Sequence, residues 1–77
     1  MHIVFSDHAL LKINQRVLSR EKILETVLQP EMTESGHHSR IKLYRKFGRK
    51  YLQVVTMRTL HTVIIVTAHW VVKLPKE

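Results

Sequence analysis

The run RIKLYRKFGRK, residues 40–50, carries six cations in eleven positions, with Tyr44 and Phe47 inside it and Tyr51 beside it. Cations neutralise phosphates, and aromatic rings offer stacking platforms for unpaired bases, so the chemistry on offer is nucleic-acid binding. If the run is extended, alternation puts Arg40, Lys42, Tyr44 and Lys46 on one side as a strip of the kind a single strand of RNA follows. Arg49 and Lys50 continue the charge past Phe47. An edge strand guarded by lysines would look similar, but it would have no reason to exclude carboxylates.

Two of the six histidines sit where a proton could be moved. His8 falls in the first turn of a predicted helix, where the positive end of the dipole favours the neutral imidazole a general base needs. His69 ends an apolar run beside Trp70 and is expected to project into a cleft at the sheet margin. Arg16, Arg45 and Arg58 are candidate phosphate clamps, because a guanidinium fork matches phosphate oxygens. His2, His37 and His38 read as solvated loop or edge residues. No HExxH spacing occurs, and carboxylates are absent from residues 35–76, so no built-in metal and no cofactor are expected.

The elements that must hold these residues follow from spacing. Residues 2–5 (HIVF) read as a short β-segment. Ser6 suits a helix N-cap with Asp7 in the first turn, and Leu10, Ile13 and Val17 recur as an apolar stripe. Ser19 caps a second helix with Ile23, Leu24, Val27 and Leu28 as its buried face, stopped by Pro30. Residues 31–39 show no periodicity and read as a loop. The period then becomes two, with Gly48-Arg49 as a two-residue hairpin turn, a strand over 51–57, a connection over 58–61 and a central strand over 62–70. In the simplest register Ile41, Leu43, Leu52, Val54, Val63 and Ile65 share one face, the seat for the helices. The other face collects the cationic strip, Tyr51 and Gln53, with Val55, Ile64, Val66 and Trp70 beside them. The predicted class is α+β, in the order β-α-α-β-β-β, two short helices packed on one face of a small antiparallel sheet.

At 77 residues, 44% apolar and 25% charged, the chain has the balance of one folded domain, residues 1–77. The net charge of +7 is unevenly placed: residues 1–34 hold four basic and five acidic side chains, residues 35–77 nine basic and only Glu77. That asymmetry is the footprint of a polyanion binder. Without cysteine there is no disulfide, thiolate zinc site or cysteine nucleophile. There is no GxSxG, GxxxxGK[ST] or GxGxxG motif, which removes the usual support for serine hydrolases, nucleotide hydrolases and dinucleotide enzymes. No run is long enough for a membrane span, and Asp7 and His8 interrupt any leader-like apolar stretch, so no membrane partner and a cytoplasmic location are expected.

The opening FSDHALLKINQRVLSREKILETVLQP resembles a small family filed as a domain of unknown function. Its members begin with a histidine, a basic residue four later, an arginine eight later, and a Gly-Ile-Ser turn into a second helix. The matching positions are His8, Lys12, Arg16 and Ser19, with Val17-Leu18 where the family more often has Gly-Ile. The closing YLQVVTMRTLHTVIIVTAHW is similar to the last strands of that family and of BrnT-like toxins, distant members of the RelE/ParE-like group. The resemblance implies a RelE-like fold and metal-independent RNA cleavage, in which the ribose 2′-hydroxyl attacks the adjacent phosphate. It puts Arg58 and His69 at the cationic and acid/base positions, with Arg45 and Lys46 matched by strand. It leaves the role of His8 and Arg16 open. An acidic antitoxin covering the basic face is the implied partner. A non-catalytic module of the same fold, binding nucleic acid or a protein, is the alternative; a gyrase-targeting toxin would differ in partner.

Overall fold

Both helices begin where a serine can satisfy free backbone donors. The computed structural model describes residues 2–75; Met1, Lys76 and Glu77, the ends of the 1–77 domain and two of the charges counted above, lie outside the described residues. After β1 (His2–Phe5), the extended Ser6 accepts a hydrogen bond from the Ala9 N–H at 3.0 Å and starts α1 (Asp7–Arg16). Ser19 accepts from the Lys22 N–H at 3.3 Å and starts α2 (Arg20–Leu28). Between the helices Val17 adopts φ 51, ψ 52, the left-handed conformation, and the chain turns sharply there. The turn throws Val17 outward, 88% exposed, and swings Leu18 inward to 7%. Ala9 and Ile13, rather than a stripe ending at Val17, are therefore the buried residues of α1. On α2 the core takes Ile23, Thr26 and Val27, and Leu28 is left exposed. Thr26 is tolerated inside because its hydroxyl donates to the Lys22 carbonyl at 2.8 Å.

The sheet has five strands in the order β1-β5-β4-β3-β2. The segment expected to be a loop contains β2 (Met32–Ser35), paired antiparallel with β3 (Arg40–Phe47). Its sequence MTES has no apolar alternation to announce it; pairing to an existing strand, not core burial, makes it extended. β3 turns through Gly48-Arg49 into β4 (Lys50–Arg58) with Phe47 opposite Lys50, and Gly48 takes φ 70, the backbone a primed turn with glycine first requires. β5 (Thr62–Val71) pairs antiparallel with β4 and parallel with β1. Both helices and strands β2 to β4 lie between β1 and its partner β5 in the chain, which gives the long connection a parallel pair needs. The α+β class with two helices stands, and the sheet is mixed rather than wholly antiparallel.

One face of the sheet carries Leu43, Leu52, Val54, Val63, Ile65 and Ala68, which cluster with Ala9, Ile13, Leu18, Ile23 and Val27 of the helical layer. Fully buried Ile23, Leu43, Leu52 and Ile65 each contribute about 1.5–3 kcal/mol to holding the two layers together. The opposite face has no helix over it.

The β4–β5 ladder contains a bulge that decides which face the end of β5 presents. Val55 pairs with Thr67 and Thr56 with Ile65, leaving Val66 unpaired. Beyond it the alternation is inverted. Ala68 and Trp70 join the helix face, where Trp70 meets Phe47 edge-on at 6.1 Å. Trp70 thus leaves the open face expected for it, and His69 takes a place there. The bulge is tied to α1: Ser6 Oγ, which caps the helix, also donates to the Val66 carbonyl at 3.2 Å.

Candidate functional site

The inverted register brings Met32, Tyr44, Gln53 and His69 into one row across β2, β3, β4 and β5 on the open face. Directly opposite residues of antiparallel strands share a face, so these side chains stand shoulder to shoulder. At the centre Tyr44 is 1% and Gln53 9% exposed, deep for residues on a face without a helix. Buried polar groups must be paired, and here they are. Gln53 Nε2 donates to Tyr44 Oη at 2.6 Å, and Tyr44 Oη donates to Glu34 Oε1 at 3.3 Å. Burial pushes the Tyr44 hydroxyl above its ordinary 10.0; the Gln53 bond opposes this and the Glu34 carboxylate reinforces it. The phenol keeps its proton and acts as a fixed post for Gln53.

His69 closes the row, half-buried beside Gln53. Its imidazole is held below the ordinary 6.5, first by burial and then by the positive charges of Arg16 and Lys42. Arg16, in the last turn of α1, reaches the end of β5 that β1 does not cover and donates Nη1 to the Ala68 carbonyl at 2.7 Å. Lys42 lies one row from Tyr44 on the same face, its Nζ 4.0 Å from Glu34 Oε1. The arrangement is an imidazole biased toward its neutral form by burial and by the positive charges of Arg16 and Lys42. Such a group can accept a proton from a hydroxyl, while the cations favour any charge that grows beside it. The face encloses no pocket among the described residues, so His69 faces an open surface and not the expected cleft.

The remaining sequence-predicted residues divide sharply. Arg40, Lys42 and Lys46 lie on the open face, and Lys46 Nζ stands 5.9 Å from the centre of the Tyr51 ring. Arg49 and Lys50 are exposed at the β3–β4 turn. Tyr44 is on the expected face but too deeply buried to stack a base. Arg45 points to the helical layer: its Nε donates to Glu25 Oε2 and its Nη1 to the Gln29 carbonyl, both at 2.8 Å. That bond satisfies a carbonyl just past the end of α2, so Arg45 is a fastening between sheet and helix and is not beside His69. Arg58 pairs with Val63, whereas His69 pairs with Gln53. Five residues of strand, about 17 Å, separate those positions, and the two side chains leave opposite faces of the sheet. Arg58 and His69 therefore do not form a common site. His8 is exposed on α1, two helical turns or about 12 Å along the axis from Arg16.

Carboxylates also approach the cationic strand more closely than its own sequence indicates. Glu25 and Glu34, from the acidic first half, meet Arg45 and Lys42 respectively, and Glu31 accepts the Lys46 backbone N–H at 3.1 Å. The positive field is thus narrower than a count of residues 35–77 implies. Sequence reasoning gave Gln53 and Glu34 no role. The signal for Gln53 was present: a lone amide in YLQVVTM, a strand otherwise fit for burial. Nothing in MTES marks Glu34.

No group of three or more His, Asp or Glu residues that could hold a metal ion occurs among the described residues. Among the described residues no helix is long and apolar enough to cross a membrane. Neither the curated proteins nor the solved structures contain a match to this chain. Residues 5–70 span everything from the end of β1 to Trp70, and over that length they match the family described as a domain of unknown function, DUF4258, to which this chain belongs.

Proposed function

We propose that the protein is a metal-independent endoribonuclease whose working groups are His69 and Lys42 on the open sheet face and Arg16 at the edge of β5 that β1 leaves uncovered. The observation that carries this reading is the half-buried His69 in the Tyr44–Gln53 row of a face no helix covers, its imidazole held below the ordinary range by burial and by the charges of Arg16 and Lys42, with Arg16 fixed on the neighbouring Ala68 carbonyl. A neutral His69 takes the proton of a ribose 2′-hydroxyl, and the oxygen attacks the adjacent phosphorus. Arg16 and Lys42 stabilise the extra negative charge on the phosphorane. As the bond to the 5′ oxygen breaks, the Lys42 ammonium supplies the proton that oxygen needs. The products are a 2′,3′-cyclic phosphate and a 5′-hydroxyl; the proton gained by His69 is lost to solvent and the one given up by Lys42 is regained from it, so the cycle closes. Gln53, fixed by its bond to Tyr44, stands beside the imidazole in the same row. In this reading the RelE-like toxin resemblance extends to activity, the setting is the cytoplasm, and an acidic antitoxin covers the face.

A non-catalytic module of the same fold is the second reading, favoured by the position of Arg40, Lys42 and Lys46 on an open surface of the sheet. Incubation of the purified protein with single-stranded RNA in EDTA separates the two. Cyclic-phosphate ends, lost in His69→Ala and reduced at least about tenfold in Arg16→Ala, support the ribonuclease. Intact RNA at high protein concentration, with salt-sensitive binding, supports the module. Cleavage by His69→Ala at the wild-type rate would remove the site assignment.

A further inference from the structure

The open face is divided lengthwise into two lanes of different chemistry. Arg40, Lys42 and Lys46 occupy the β3 lane. Beside it, on β4 and β5, Val55, Met57 and Ile64 are partly exposed on the same face, joined by Val4 of β1 at 47% exposure. Arg40 marks the seam, its Nη1 against Met57 Sδ at 2.7 Å. His69 and Gln53 lie between this apolar patch and Tyr51, which is one row nearer the hairpin turn. Successive rows are about 6.7 Å apart along the strands, and the lanes about 4.8 Å apart across them.

An unpaired nucleic-acid strand has the same two-sided character, an anionic backbone along one edge and flat apolar bases along the other. A duplex does not, since its bases are stacked inside and phosphates form both its margins. A second copy of this chain would set Arg40, Lys42 and Lys46 against the same three residues, and like charges oppose that pairing. We propose that an unpaired RNA strand lies lengthwise along β3, its phosphates on Arg40, Lys42 and Lys46, and its bases on Tyr51 to one side of His69 and on Val55, Met57 and Ile64 to the other. This placement rests on the ribonuclease reading and adds to it a requirement for single-stranded substrate and a reason for the apolar half of the face. Lys46 leaves the Tyr51 ring to meet a phosphate, and a base takes its place.

The test uses the full chain and short 2′-O-methyl RNA, which lacks the attacking hydroxyl and so reports binding alone. Fluorescence anisotropy at low salt compares a single strand, the same strand with abasic positions, and a hairpin duplex of equal charge. The abasic strand binds at least about tenfold more weakly than the intact one, because stacking on an aromatic platform is lost. Tyr51→Ala and the milder Met57→Gln weaken the intact strand several-fold and leave the abasic strand almost unchanged, with circular dichroism verifying the fold of each. Equal affinity for intact and abasic strands, or for strand and duplex, overturns the placement. So does a lack of binding to any of the three, which would point to a protein on this face. Base-dependent binding without cleavage of unmodified RNA would sink the ribonuclease and keep the placement. Cleavage with base-independent binding would do the reverse.

Discussion

Replacing Val17 by glycine should make the protein more stable. Val17 ends α1 at φ 51, ψ 52, and its N–H donates to the Ile13 carbonyl, so the conformation is required by the turn into α2. An L-residue in the left-handed region carries a clash between Cβ and the backbone costing about 1–2 kcal/mol, and a β-branched side chain does nothing to relieve it. Packing offers no compensation, because the side chain is 88% exposed. Against the relief stands the greater freedom of glycine in the unfolded chain, about 0.4–1 kcal/mol. The net is a stabilisation of about 0.5–1 kcal/mol, which for a domain of this size raises Tm by roughly 2–8 °C. Thermal unfolding by far-UV circular dichroism measures it, with urea titration to show that the slope m is unchanged. Val17→Ala is the control: it keeps the Cβ and should recover little of the gain. A Tm for Val17→Gly at or below wild type, or a gain of equal size in Val17→Ala, would refute the strain argument.

Two further outcomes follow from the site. Arg45→Met should destabilise the fold by about 1–2 kcal/mol through loss of its bonds to Glu25 and the Gln29 carbonyl, a pair partly screened by solvent; measured by urea denaturation, it should leave any RNA cleavage by the folded fraction intact. His69 titrates below its ordinary 6.5 in the folded chain, so the unfolded chain binds its proton first and stability falls as pH drops through the range from 6.5 to the folded value. His69→Gln should remove that part of the acid sensitivity, seen as a flatter Tm profile below pH 6.5, and a profile parallel to wild type would contradict the assignment.

The parts of this architecture that local rules govern are legible residue by residue. Ser6 and Ser19 cap helices because their side chains serve backbone donors three residues on, and Gly48 marks its turn because glycine takes the positive φ there without a Cβ clash. Alternation assigns Ile41, Leu43, Leu52 and Val54 to one side because β3 and β4 are joined by the shortest of hairpins, which leaves the register no freedom. β2 escapes notice because its extension is induced by a neighbour. Arg45 reads as a free cation because its partner Glu25 is twenty residues away and on another element.

The bulge at Val66 shows why the site itself is the hardest part to foresee. Strict alternation through TVIIVTAHW puts His69 with Val63 and Ile65, under the helices, and Trp70 in the open. One unpaired residue reverses both, and that residue is held by a hydroxyl sixty positions earlier in the chain, on the serine that also starts α1. The inversion is worth its lost ladder pairing because it gives the helical layer an indole to pack against Phe47 and gives the open face an imidazole beside Gln53. Had the strand remained regular, the cations of β3 would share their face with Trp70 in place of the His69 imidazole. The chemistry proposed for this face therefore depends on a local irregularity more than on the density of charge in residues 40–50, and Ser6 is as much a part of its construction as any residue that meets the substrate.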